Sequence, residues 1–121
     1  MKNFRRSVTT TGPPESPTNA GAGGGRTDEE LVRATLDDRP GASAAFAARM
    51  VCIHRYLGSS TAARGLGSAA IDDLAQEAVL RTWANRARYA GSARLETWMI
   101  GITQNVLLET LRRRADDRQR R

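Results

Sequence analysis

Between residues 27 and 114, apolar side chains recur at helical spacing in separate runs, and each run predicts a helix. The first opens TDEELVRATLDD. Thr27, with Glu30 three residues on, is a capping-box pattern, and the acids of this first turn suit the positive end of a helix dipole. Leu31, Thr35 and Leu36 can share one side. Asp37, Asp38, Arg39, Pro40 and Gly41 then predict a turn. SAAFAARMVCIHRYL predicts a second helix over 43–57, with Phe46, Met50, Ile53 and Leu57 in phase and Gly58 as its C-terminal stop. GSSTAARGLGSAA, 58–70, reads as a loop. A third helix is expected from near Ile71 to about Tyr89, with Asp72 and Asp73 in its first turn and Gly91 and Ser92 as breakers. A fourth starts near Leu95 and continues past Leu111.

The last two helices have faces that a core does not account for. On the third, Leu74, Ala75, Ala78, Val79 and Trp83 make the apolar stripe. Asp73, Gln76, Glu77 and Leu80 fall outside it. That outer face reads either as a solvated surface with an i,i+4 ion pair between Glu77 and Arg81 or as a partner surface centred on an exposed leucine. On the fourth, Leu95, Trp98, Met99, Ile102 and Val106 form the core stripe. The opposite flank carries Thr97, Gly101, Asn105, Leu108 and Arg112. Gly101 costs a helix interior up to ~1 kcal/mol relative to Ala. A gap beside an Asn amide, closing on arginines, has a shape that admits a nucleic-acid backbone or base edge. Arginines at a helix C-terminus also serve simply to complement the dipole.

Composition narrows the partners. The 121 residues suffice for one small domain. Aromatic content is 5%, so aliphatic and small side chains must build the core, which suits an all-α class. The formal net charge is +6, and Lys2 is the only lysine, so arginine carries the basic balance. Such a balance favours a polyanionic partner. Cys52 and His54 are single, so neither an intrachain disulfide nor the usual Cys/His metal site is available. No nucleophile–base pair, metal cluster or phosphate loop stands out, so the chain reads as a non-enzyme without a cofactor. No apolar run approaches the ~20 residues of a membrane span. No secretory signal follows Lys2, Arg5 and Arg6, which predicts a cytoplasmic protein. Residues 1–26, rich in Pro, Gly, Ser and Thr, predict a disordered tail. The folded domain is expected over 27–115, with 116–121 as a frayed basic tail.

The order DDLAQEAVLRTW at 72–83, then RYAGSARLETWMIGITQNVLLETLRRR at 88–114, resembles region 2 of bacterial RNA polymerase sigma factors of the extracytoplasmic-function class. The matching residues are Asp73, Leu74, Gln76, Glu77, Leu80 and Trp83, then Tyr89, Gly91, Thr97, Trp98, Ile102, Asn105, Leu111, Arg112 and Arg113. The resemblance spans about 27–115 and implies a small four-helix bundle. It implies that Asp73, Gln76, Glu77 and Leu80 dock on the clamp helices of the largest subunit of core RNA polymerase. It also implies that the loop from Tyr89 through Ala90, Gly91, Ser92 and Ala93 to Arg94 receives a flipped base of the non-template strand at the promoter minus-ten element. Thr97, Asn105, Arg112 and Arg113 would join that DNA contact. The chain departs from the family pattern at Ile100 and Gly101, where an aromatic or basic pair is common, and at Ala90, Ala93 and Arg94. The family continues into a region 4, and the sequence to Arg121 is that of a fragment, a truncated gene product or a stand-alone region 2; the alternative to an initiating factor is an interaction module that occupies core polymerase, or is held by an anti-sigma factor, without starting transcription.

Overall fold

The structure, a computed structural model, describes residues 27–120; the tail expected over 1–26 lies outside them. Its elements in order are α1 (Asp28–Leu36), α2 (Ala42–Arg49), α3 (Val51–Ser59), α4 (Ser68–Ala84), one 3-10 turn (Arg86–Arg88) and α5 (Leu95–Arg120). There is no strand among the described residues, and the all-α bundle expected from the pattern is what forms. No described helix is long and apolar enough to cross a membrane.

Local chemistry sets most of the boundaries. The capping box at α1 is present: Thr27 Oγ1 accepts from the Glu30 N–H at 3.1 Å, and the Thr27 N–H donates to Glu30 Oε1 at 2.9 Å. Asp38 and Gly41 take left-handed backbone at φ 54° and 79°, which turns the chain into α2. The helix expected over 43–57 is interrupted at Met50, whose N–H reaches the Ala47 carbonyl in a tighter i→i+3 bond. No Gly or Pro marks this break, so the sequence gives no warning of it. Gly58 is not a stop; α3 continues to Ser59, whose hydroxyl donates back to the Arg55 carbonyl at 3.0 Å.

α4 begins at Ser68, earlier than Ile71, because Gly67 serves as an extended N-cap before a run of good helix formers. Asp72 and Asp73 therefore fall beyond the first turn, which holds no acid. The helix also ends sooner than Tyr89. Asn85 closes it with both its backbone N–H and its Nδ2 on the Arg81 carbonyl, the latter at 2.8 Å. Arg86 then turns back over the Trp83 ring, 3.8 Å from its centroid, and donates to Thr35 Oγ1 at 2.9 Å. At the far end, α5 runs on through Arg120, past residue 115, since nothing after Leu111 breaks a helix.

The core is where the stripes meet. Phe46, Ile53, Leu57, Leu74, Ala75, Ala78, Leu95, Met99, Val106 and Leu107 are buried together, and Phe46 meets the Trp83 ring edge-on at 5.4 Å. Leu36, expected to share the inner side of α1, is 42% exposed; Val32 and Ala34 are buried there instead. Ala63 and Leu66 of the predicted loop also enter the core. Trp98 is only half-buried, packed edge-on against Tyr89 at 5.6 Å. The most extensive contact between helices is that of α4 with α5, so the two helices with unexplained faces lie side by side.

Candidate functional site

α4 turns its small residues Ala75 and Ala78 inward, and that commits its other side to solvent. Asp73, Gln76, Glu77 and Leu80 are all exposed on that flank. Leu80 is 58% exposed, the highest value among the large apolar side chains left outside the core in the described residues. Both readings of this face have a counterpart in the geometry. Glu77 does pair with Arg81 at 3.0 Å, one turn on. Leu80 nonetheless remains uncovered beside Gln76 and Asp73, and a solvated ion pair does not require it.

Arg81 does more than pair along its own helix. Its Nη1 and Nη2 donate to Glu109 of α5 at 3.0 and 3.1 Å, a two-pronged tie between the helices. Hydrogen bonding to Glu109 raises the Arg81 pKa further, and the same contact holds the Glu109 carboxyl below its usual range. An open groove runs beside this tie, bordered by Asp73 and Glu77 on one wall and by Arg113 and Arg114 on the other. Arg113 thus faces α4, while Arg112 lies on the outer flank. The structure separates these two arginines that the sequence motif groups.

The outer flank of α5 is assembled as its spacing implies. Thr97, Asn105, Leu108 and Arg112 are exposed, and Gly101 lies between them. A Cβ added at Gly101 would meet no heavy atom within 4 Å. The glycine is therefore not required by packing inside this chain. Leu108 is 48% exposed on the same flank.

The segment Tyr89 to Arg94 leads directly into this flank. Gly91 has φ +81°, a conformation that L side chains rarely adopt, and a Cβ there would collide with the Glu29 side chain. Ser92 and Arg94 are exposed. Tyr89 differs: it is partly buried, and its hydroxyl donates to the Ala93 carbonyl, so it braces the loop from within. Burial, with the nearby acids Asp28 and Glu29, pushes its phenol well above the usual range.

Sequence spacing missed one cluster at this end of the bundle. Asp28, Arg49 and Glu96, from three different helices, join here: Arg49 Nη2 meets Asp28 Oδ1 at 2.6 Å, and Arg49 Nε meets Glu96 Oε2 at 2.5 Å. The hydrogen bond from Arg49 holds the Glu96 carboxyl below its usual range. No local pattern could have announced this cluster, because its members are brought together only by the packing of the helices. No group of three or more His, Cys, Asp or Glu side chains suited to a metal ion occurs among the described residues.

Comparison with known proteins places part of the chain in a family. A family model described as Sigma-70 region 2 matches residues 51–116, more than half of the chain, and takes in α3, α4, the loop and nearly all of α5. No curated protein and no solved structure matches.

Proposed function

Because the chain belongs to the sigma-70 region 2 family, a family of core RNA polymerase binding and promoter recognition, we propose that its two exposed faces divide these tasks between them. The α4 flank of Asp73, Gln76, Glu77 and Leu80 docks on the clamp helices of the largest polymerase subunit. The 89–94 loop and the outer flank of α5 receive the non-template strand of the minus-ten element, in the manner of the extracytoplasmic-function class. The observation that supports this reading best is the pairing of α4 with α5. Their buried faces meet in a core shared with α3, and each retains a separate exposed flank with the residue types its task needs.

The physical account needs no covalent step. Opening a duplex costs a few kcal/mol for each base unstacked, and binding energy on the opened strand offsets it. Gly91, with its left-handed backbone, sets the bend of the loop that a base would meet. Asn105 offers a paired donor and acceptor to a base edge, and Arg94 and Arg112 offer charge to phosphates. Nucleotide addition belongs to the polymerase.

The test uses forked promoter DNA or single-stranded non-template oligonucleotides with core polymerase present, at several salt concentrations. Asn105→Ala is expected to reduce discrimination among sequences by about 1–3 kcal/mol with folding intact. Arg112→Ala is expected to weaken all sequences alike and to flatten the salt dependence by roughly one unit of slope. Failure of the wild-type chain to bind core polymerase would overturn the proposal.

A further inference from the structure

The first N–H of α5 is met by an acceptor from outside its own segment. The residues before Leu95 are Ala93 and Arg94, and neither side chain offers an acceptor to the first free N–H groups of the helix. The acceptor comes from the first residue of α1. Asp28 Oδ2, 67 positions earlier in the chain, accepts the Leu95 N–H at 2.8 Å. Its other oxygen holds Arg49, and Arg49 in turn grips both oxygens of Glu96, at 2.5 and 2.9 Å. The side chains of Asp28, Arg49 and Glu96 are about one-quarter exposed, so solvent screens the cluster only in part. Beside it, Glu29 packs against Gly91 at the bend of the loop.

This cluster is not what keeps α5 in the bundle. Leu95, Met99, Val106 and Leu107 are buried along the helix and do that work. What the cluster fixes is the position of the first turn of α5 and of the loop that runs into it. Asp28, Glu29 and Arg49 also lie outside the segment 51–116 that the family model matches.

We propose that Asp28 and Arg49 are positioning residues for promoter reading: they set where the 89–94 loop and the first turn of α5 stand, so base discrimination depends on α1 and α2, which lie outside the proposed reading surface. The inference rests on the function proposed above. A charged acceptor on a helix-terminal N–H is directional, and a displaced loop loses the alignment that paired hydrogen bonds to a base edge demand.

The experiment uses the full chain with core polymerase and a pool of oligonucleotides randomised over the non-template segment. The ratio of affinities for the best and a scrambled sequence measures discrimination. Amide hydrogen exchange over 92–96 is followed in the same proteins without DNA. In Asp28→Ala and Arg49→Gln the ratio is expected to fall about tenfold, the scale of one lost hydrogen bond to a charged group. Exchange over 92–96 should quicken, while affinity for core polymerase changes by no more than about twofold, as expected for sites without shared partners. Asp28→Asn keeps an oxygen towards Leu95 and should retain more of the ratio than Asp28→Ala. An unchanged ratio with quickened exchange would mean that the cluster is structural only, and would sink the proposal. So would a parallel loss of polymerase affinity, which would mark general destabilisation. If exchange in Asp28→Ala stays slow, the inference fails with the proposed function intact. If the wild-type chain binds every sequence equally, promoter reading itself fails.

Discussion

Two residues carry costs that packing does not repay. Thr82 is fully buried, and its hydroxyl has no partner among the described residues. A buried hydroxyl left unpaired loses its hydration without compensation. Thr82→Val, of nearly the same shape, should therefore raise the unfolding free energy by about 1 kcal/mol in a urea titration; a loss would show that the hydroxyl has a partner in solution. Gly101 weakens a long helix although space for a Cβ is open. Gly101→Ala should add about 0.5–1 kcal/mol of stability. If the gap is there for the non-template strand, the same variant should bind that strand more weakly. More stability with undiminished DNA affinity would remove Gly101 from the reading surface.

At the scale of the element, the two sides of α4 differ. Its small inner residues are buried beside α5, and its exposed outer residues are those proposed to meet the polymerase. Glu77 is already engaged by Arg81, so its charge is shared between an internal pair and any external contact. Leu80 and Gln76 have no such competing role among the described side-chain bonds. Replacing both with Ala should reduce affinity for core polymerase by about tenfold or more, as truncations near the centre of an interface do. Far-ultraviolet circular dichroism should stay unchanged, because Ala favours a helix. Unimpaired polymerase binding in a helical double variant would move the docking face elsewhere.

For the whole molecule, the Asp28–Arg49–Glu96 cluster links acid stability to the placement of α5. The Glu96 carboxyl ionises more readily in the fold than in the unfolded chain, chiefly through its hydrogen bond to Arg49. A group with a lowered folded pKa stabilises fully above its unfolded value and loses that contribution as pH falls through the folded one. Unfolding free energy should thus hold from neutral pH down to about 5 and decline below the ordinary glutamate range. Glu96→Gln should remove part of that decline, measured by urea titrations at successive pH values. An identical pH profile in the variant would mean that other carboxylates account for acid unfolding.

Periodicity and capping chemistry, which act within a few residues, made much of this protein legible from its sequence. They place the capping box at Thr27, the core stripe of α4 and the outer flanks of α4 and α5, and the motif order identifies the family before any fold is seen. Short-range signals also misplace what longer-range contacts decide. Gly58 and Ser68 lie inside helices rather than at a stop and in a loop, and Met50 breaks a run that the pattern leaves continuous. Arg112 and Arg113 are neighbours in the motif, but the 100° step of the helix and the position of α4 send them to different surfaces. The Asp28–Arg49–Glu96 cluster lies beyond any local pattern. Its hydrogen bonds join residues 21, 47 and 67 positions apart, and only the packing of the apolar stripes brings such residues within reach of one another.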